Sequence, residues 1–330
     1  MKRRLLAISM VSVMAMALAA CGSGNGSSGQ SAATEGGASG EKVYKVGICQ
    51  ALEHESLDAA TKGFQDALSE KLGSNVEIDL QNAQGESTNN TTICNGFVSA
   101  QVDLILANAT PALQAASAAT AEIPVLGTSV TDYASALGLT DFSGTTGTNV
   151  SGTSDLAPID EQEQIFKDLL PDAKTIGILY CSAEPNSIYQ VEEFEKYAKE
   201  DSFETKVYTA ADSNEIQTVT MKAVQECDAI YIPTDNTFAA AIETVKNVTS
   251  PENKPLVTGW GDLDAGFAAV SIDYHDLGYQ TGEMAYEIMV NGADPATMEI
   301  AYADAVTKTV NEELCKSLGI EVSEGYEAAK

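Results

Sequence analysis

Basic residues, histidines and indoles are scarce in this chain. Eighteen Lys and Arg stand against 48 Asp and Glu, a formal net charge of −30 at pH 7 over 330 residues. Nucleic-acid phosphates repel such a surface, which excludes DNA or RNA as a partner. It equally argues against docking on an anionic membrane through a basic face. Two histidines, His54 and His275, are too few for a multi-histidine metal site, and no Cys-x-x-Cys pair supports zinc, so no metal is expected. A hydrolase would need an activated nucleophile, but no Gly-x-Ser-x-Gly elbow occurs and only those two histidines could serve as base. The first β-rich run, Val46-Gly-Ile-Cys-Gln-Ala, lacks the Gly-x-Gly-x-x-Gly of a dinucleotide enzyme. No catalytic residue and no cofactor are therefore expected.

What is present begins with a leader. Lys2, Arg3 and Arg4 precede an apolar stretch from Leu5 to Ala20, too short for a comfortable membrane span and read as a secretory signal over residues 1–20. It ends in Leu18-Ala19-Ala20-Cys21-Gly22, similar to a bacterial lipobox, which implies cleavage before Cys21 and lipid on its thiol. Removing the leader takes away three positive charges and no negative one. Residues 21–42 follow as a lipidated cysteine and a flexible linker, because a Gly/Ser/Ala-rich segment cannot bury enough apolar surface to offset its ordering entropy. The protein is expected outside the cytoplasm, anchored to the bacterial cell membrane. Five cysteines remain, Cys49, Cys94, Cys181, Cys227 and Cys315, odd in number and far apart; they read as buried free thiols, with one long-range disulfide as the rival.

The length suggests about two domains, and 44% apolar residues suffice for a sizeable core. From Val43 onward, short β-rich runs alternate with helical periodicity. Strands are predicted over Val43–Cys49, Val76–Leu80, Leu104–Ala107, Val125–Leu126, Thr175–Tyr180, Lys206–Tyr208, Ala229–Ile232 and Leu256–Thr258. Helices are predicted between them, including Ser56–Leu72, Pro111–Thr120, Ser187–Lys199 and Phe238–Asn247. Continuous apolar strands separated by helices indicate an α/β fold, here two doubly wound parallel-sheet lobes. The halves also echo each other. Asp103-Leu-Ile-Leu-Ala-Asn-Ala-Thr110 and Asp228-Ala-Ile-Tyr-Ile-Pro-Thr-Asp235 each run from a strand through a polar turn into a helix, which places Thr110 and Asp235 in corresponding positions. Ligands of open α/β sheets bind beyond the carboxyl ends of strands, so two facing lobes make a cleft.

Several stretches, in order across nearly the whole mature chain, resemble the substrate-binding lipoproteins of ABC transporters, more narrowly the tryptophan/tyrosine-type group with a type I periplasmic-binding fold. They are Val46-Gly-Ile-Cys-Gln-Ala-Leu-Glu-His54, Ala59-Ala-Thr-Lys-Gly-Phe64, Ala109-Thr-Pro-Ala112, Thr148-Asn-Val-Ser-Gly-Thr-Ser-Asp155, Leu169-Leu-Pro-Asp-Ala-Lys-Thr-Ile-Gly177, Pro233-Thr-Asp-Asn236, Ile272-Asp-Tyr274 and Leu277-Gly-Tyr-Gln-Thr-Gly282. Gly259-Trp-Gly-Asp262 departs from the pattern. The resemblance implies two lobes joined by crossover strands: residues 43–152 plus about 274–292, and 153–273 plus about 293–330, with Gly144–Thr153 as a hinge strand. It also implies an extracytoplasmic binding protein, expected to be a monomer, that delivers a small molecule to an ABC permease and its ATPase. The ligand expected is an aromatic or other hydrophobic amino acid. The alternatives are a sensing role, or a sugar, nucleoside or small peptide as ligand.

The candidate ligand-binding residues stand at predicted strand ends. On the first wall these are Gln50, Glu53, His54, Thr110, Pro111 and Thr131, with Thr128 and Ser129 nearby. The helix start at Thr110 and Pro111 suits a carboxylate, through its exposed amides and positive dipole end. At the hinge and on the second wall stand Thr153, Ser154, Asp155, Asn186, Ser187, Thr234, Asp235, Asn236 and Asp262. Of the acidic residues Glu53, Asp155, Asp235 and Asp262, Asp235 is the first choice for a ligand ammonium, with helix capping as its competing role. Among Tyr133, Tyr180, Tyr189, Phe238 and Trp260, one or two rings are expected against the ligand.

Overall fold

The computed structural model describes residues 42–303 and 305–329. The leader, Cys21 and all of the linker except Lys42 lie outside the described residues. The first half runs β1 (Tyr44–Gln50), α1 (Glu55–Leu72), β2 (Val76–Asn82), α2 (Ser87–Ala100), β3 (Leu104–Asn108), α3 (Thr110–Ala119), β4 (Val125–Val130), α4 (Tyr133–Leu137) and β5 (Val150–Ser154). The second continues through α5 (Ile159–Leu169), β6 (Thr175–Cys181), α6 (Pro185–Glu200), β7 (Glu204–Ala210), α7 (Ile216–Glu226), β8 (Ala229–Ile232), α8 (Asn236–Ala240), α9 (Ile242–Thr249), β9 (Leu256–Thr258) and β10 (Ala268–Ser271). The chain ends with α10 (Tyr274–Asn291), β11 (Ala301–Tyr302), β12 (Thr307–Val310), α11 (Glu312–Leu318) and β13 (Glu327–Ala328).

Two sheets result. One has the order β11-β5-β4-β3-β1-β2 and is parallel throughout; the other has the order β13-β12-β10-β9-β8-β6-β7, with β10 and β12 its antiparallel pair. β3, β4, β5 and β8 are buried along their whole length, as strands covered by helices on both faces must be. In the second half, the rings of Phe194 and Tyr231 stack at 4.1 Å and the Tyr231 hydroxyl donates to Gln162 Oε1.

The chain passes between sheets after β5, between β10 and α10, and between β11 and β12. Two boundaries therefore differ from the sequence expectation. The expected division at 152/153 falls inside β5, which stays in the first sheet through Ser154, and residues 301–302 pair with β5 rather than joining the second lobe. Two-residue pairing in β11 is too short to carry a periodicity. The predicted helix Phe238–Asn247 is two helices, because at Ala241 the backbone turns out of helical geometry.

Helix α10 returns to the first half and packs on α1 at a separation only glycine allows. A Cβ on Gly63 would lie 1.9 Å from the His275 carbonyl oxygen, and one on Gly278 would lie 1.9 Å from that of Ala60. The sequence echo between the halves has a structural cause. Asp103 and Asp228 each stand before a strand and accept backbone N–H groups at the start of the neighbouring one: Lys45 for Asp103, Lys174 and Thr175 for Asp228. All five cysteines within the described residues are buried free thiols, and the Cys49 thiol donates to Asn90 Oδ1 at 3.3 Å.

Candidate functional site

The carboxyl ends of both sheets face one another, and two strained residues and several unmet hydrogen bonds of the fold lie there. Ala109, between β3 and α3, has φ of 83°, and Ser129 at the end of β4 has φ of 53°. Such conformations cost on the order of 1–3 kcal/mol for residues other than glycine and cluster at functional sites. Close by are buried polar atoms without a partner: Asn108 Oδ1, Thr110 Oγ1, Ser129 Oγ and, on the first turn of α6, Asn186 Oδ1. Thr110, Ser129 and Asn186 are 2%, 4% and 3% exposed. An orphaned buried hydroxyl or amide is expensive unless a ligand completes it. At α3 the first-turn amides, which lack intrahelical acceptors, and the helix dipole add an environment for an anion.

A small cavity lies between the sheets, lined by His54, Leu57, Asp155, Thr234, Asp235, Asn236, Ala239, Trp260 and Tyr274. Its acidic centre is Asp155, 3% exposed at the end of β5. The Asp155 oxygens accept from Thr131 Oγ1 (3.0 Å) and the Tyr274 hydroxyl (3.1 Å). Burial pushes its carboxyl up to about 6, against the opposing pull of those two hydroxyls. No cation pairs with it among the described residues. Trp260 supplies an aromatic wall.

Asp235, first choice for the ammonium, is given to the fold instead. Its Oδ1 caps α8 by accepting the Phe238 amide, and its Oδ2 accepts from the Cys181 amide and the Ser187 hydroxyl. Burial raises its carboxyl well above the usual range, reinforced by neighbouring Glu184. Asp262 holds the turn after β9 through Asp264 N and Ala265 N, and Glu53 faces solvent. Gln50 is spent on Leu52 O, Asp58 and Thr61; Thr153 on Thr128 and Thr281; Ser154 on Thr131 O; and Thr234 Oγ1 on Gly259 O. Pro111 occupies the first turn of α3. Of the rings singled out, Trp260 lines the cavity; Tyr133 and Phe238 are core, and Tyr180 and Tyr189 pack on the second half's core.

His54 and Asn236 meet across the cleft at 3.2 Å. Behind Asn236 stands Glu184, which no sequence signal marked. Its carboxylate accepts from Asn236 N, Asn236 Nδ2, Thr237 N, Thr237 Oγ1 and Asn186 Nδ2. The Pro185 that follows identifies a helix start but not the five donors that converge before it. Ala60 of α1 shares a core cluster with Phe238, Trp260 and Tyr274, and α4 packs on α6, so the halves are closed on one another. A larger open groove lies at the other end of the second sheet, among residues 168–173, Asp228 and residues 318–323; the unpaired polar atoms are not there.

Known proteins share this architecture. A curated tyrosine-binding protein from Clostridioides difficile (strain R20291) is 35% identical over 325 residues, 97% of this chain and 93% of that protein. A structure from Streptococcus pneumonia in complex with L-Trp is 34% identical, covers 87% of this chain and 99% of its own, and superposes with a TM-score of 0.82. A ligand-free, open substrate-binding protein from Clostridium difficile, at 38% identity and coverage of 87% and 99%, superposes at only 0.66. The lower score at higher identity fits the closed arrangement described above. Solved structures of sugar- and inositol-type binding proteins, at 16% identity and below, share the fold alone. The family model for ABC transporter substrate-binding proteins, a family of binding proteins rather than enzymes, matches residues 45–328. With two sheets closed over a small cavity and that match spanning almost every described residue, the chain belongs to the ABC transporter substrate-binding protein family.

Proposed function

We propose that this protein captures an aromatic L-amino acid, tyrosine or tryptophan, and delivers it to an ABC permease and its ATPase from outside the cytoplasm. The observation that carries this reading is the set of unmatched buried groups at the strand ends: hydroxyls at Thr110 and Ser129, and a carboxyl at Asp155 without a cation. A zwitterion supplies what each side lacks. Its carboxylate accepts from Thr110, Ser129 and the α3 amides, and its ammonium takes Asp155, which ionises as the charge pair forms. The side chain rests against Trp260. The names of the similar proteins, tyrosine-binding in one case and bound to L-Trp in another, support the same class of ligand. Lipid on Cys21 would tether the receptor; among the described residues no helix is long and apolar enough to cross a membrane. The protein acts as a monomer in this reading.

Mass spectrometry of the small molecule released on denaturing the purified protein, followed by calorimetry with L-tyrosine, L-tryptophan and myo-inositol, tests it. Tyrosine or tryptophan in the released fraction, and heat with those amino acids alone, is the expected outcome. A released sugar, or saturable binding of inositol in place of the amino acids, would overturn it.

A further inference from the structure

One pair of side chains bridges the two sheets outside the acidic centre at Asp155: His54, at the start of α1, and Asn236, at the start of α8. The hydrogen bonding around Asn236 fixes the direction of this bridge. Its Nδ2 donates to Glu184 Oε2 at 2.7 Å, so the amide oxygen faces His54, and an oxygen can only accept. His54 therefore carries a proton on Nε2. The rest of the network (Glu184, Asn186, Asn236 and Thr237) belongs entirely to the second half and needs no partner from the first. The His54 bond is thus the one member of this network that forms on closure and breaks on opening, while Glu184 keeps Asn236 aimed at the gap.

We propose that His54 is a positioning residue: its Nε2–H latches the first half onto the Asn236–Glu184 hub and sets how long the closed clamp lasts, without itself recognising the ligand. The proposal rests on the clamp reading of the cleft but not on the identity of the amino acid. A latch of this kind responds to acid. Burial holds the closed-state ring below its usual value, against the pull of Asn236, Glu184 and Asp58. An open, solvated ring titrates near 6.5. The closed state therefore prefers the neutral ring, and protonation on falling through about pH 6.5 favours opening. The other titratable groups facing the same cavity are Asp155, Asp235 and Tyr274. Asp155 and Asp235, raised by burial, favour their protonated forms in the closed state and so oppose His54 in acid. The difference between wild type and a variant lacking only the imidazole isolates the latch.

The test uses the full chain with Cys21→Ser and spin labels on Leu80→Cys and Val207→Cys, exposed positions on the two sheets, while the native thiols are buried. Distance distributions of ligand-free protein report the closed fraction, and fluorescence of the single tryptophan, Trp260, reports release of L-tyrosine. His54→Ala is expected to reduce the closed fraction and to speed release about tenfold, the size of one hydrogen bond, with association little changed. His54→Gln, whose amide can donate to the same oxygen, is expected to restore both near neutral pH. Between about pH 7.5 and about pH 5 the wild type is expected to open relative to His54→Gln. An unchanged closed fraction in His54→Ala, His54→Gln as open as His54→Ala, or no closed ligand-free population in the wild type would each overturn the latch. If the distances behave as expected and L-tyrosine does not bind, the latch stands and the choice of ligand falls.

Discussion

Two corners of this fold share a sequence pattern, and they are used in opposite ways. At the β3–α3 corner the chain runs from Asp103 to Thr110; at the β8–α8 corner it runs from Asp228 to Asp235. In the second corner every oxygen lone pair that counts is occupied: Asp235 caps α8 and also receives Cys181 N and Ser187 Oγ. In the first corner the equivalent hydroxyl, Thr110 Oγ1, is buried without a partner beside the strained Ala109. One corner has sealed itself with its own side chains and the other has stayed open for something else. Symmetry in sequence locates both corners, but only the neighbouring donors decide which one is available.

The largest expected effect tests whether the ammonium must be met elsewhere because the second corner is sealed. Asp155→Asn should weaken binding of the amino acid by about 2–5 kcal/mol in calorimetry, since it removes the charge facing the ammonium. The same variant should be more stable without ligand. A carboxyl raised from 3.8 to about 6 carries, when ionised, a penalty of about 3 kcal/mol at about 1.4 kcal/mol per pH unit. The sign follows directly: a raised acid favours the protonated folded state, so ligand-free stability rises as pH falls from about 6 to about 4, and the penalty is full above about 6. Binding should weaken over the same fall, because the ammonium needs the ionised form. A variant that loses affinity and melts earlier would instead make Asp155 a structural residue.

Next in size is the sealed corner itself. Asp235→Ala removes a helix cap and orphans two further donors, and should destabilise the protein by about 2–4 kcal/mol in denaturant unfolding. Any loss of ligand affinity should be the smaller effect. Unchanged stability with abolished binding would reverse the comparison between the two corners.

This contrast also explains what could be read from the sequence. The two sheets, most of their strands and the location of the cleft were legible, because parallel strands buried on both faces announce themselves as apolar runs such as Leu104–Asn108 and Ala229–Ile232. Several residues that line the cavity, among them His54, Asp155, Thr234, Asp235 and Asn236, stand at strand ends predicted from the sequence, while Leu57, Ala239 and Tyr274 do not. The division of labour among them was not legible. Whether Asp235 or Asp155 is free for a ligand depends on Ser187 and Cys181, some fifty residues away in sequence, and Glu184 gathers donors from three separate residues. Gln50 and Thr153 stood at suitable ends and turned out to face inward onto Thr61 and Thr281. The last crossing failed for another reason: β11, two residues long, is too short to show a period.

The open corner gives the next prediction. Thr110→Val keeps the volume and removes a hydroxyl that no partner satisfies, so the ligand-free melting temperature should hold or rise. Affinity should drop by about 1.5–2 kcal/mol, the value of a hydrogen bond to a charged group. Equal affinities by calorimetry would leave the carboxylate to the α3 amides and Ser129.

The smallest effect concerns the residues that begin the two corners, which the comparison predicts to be alike. Asp103 and Asp228 both fasten the start of a neighbouring strand, and both carboxyls sit below the usual range. At Asp103, burial opposes the shift, and Lys42 and the Lys45 amide overcome it; at Asp228 the Lys174 and Thr175 amides are the main cause. A depressed acid contributes stability that is present above its unfolded value and lost as pH falls through its folded one, so both contributions should begin to be lost as pH falls below about 4. Because both sites are largely solvated, Asp103→Asn and Asp228→Asn should each cost only about 0.5–1 kcal/mol near neutral pH. Asp228→Asn should cost slightly more, as its carboxylate holds two backbone amides rather than one. Neither should change ligand affinity, since both residues lie at the ends of the strands away from the cleft. Urea unfolding at neutral pH and near pH 3 reads the first claim and calorimetry the second. If one of the pair proved several-fold more costly than the other, the likeness of the two halves would be confined to their sequence, and the difference between Thr110 and Asp235 would need no special explanation.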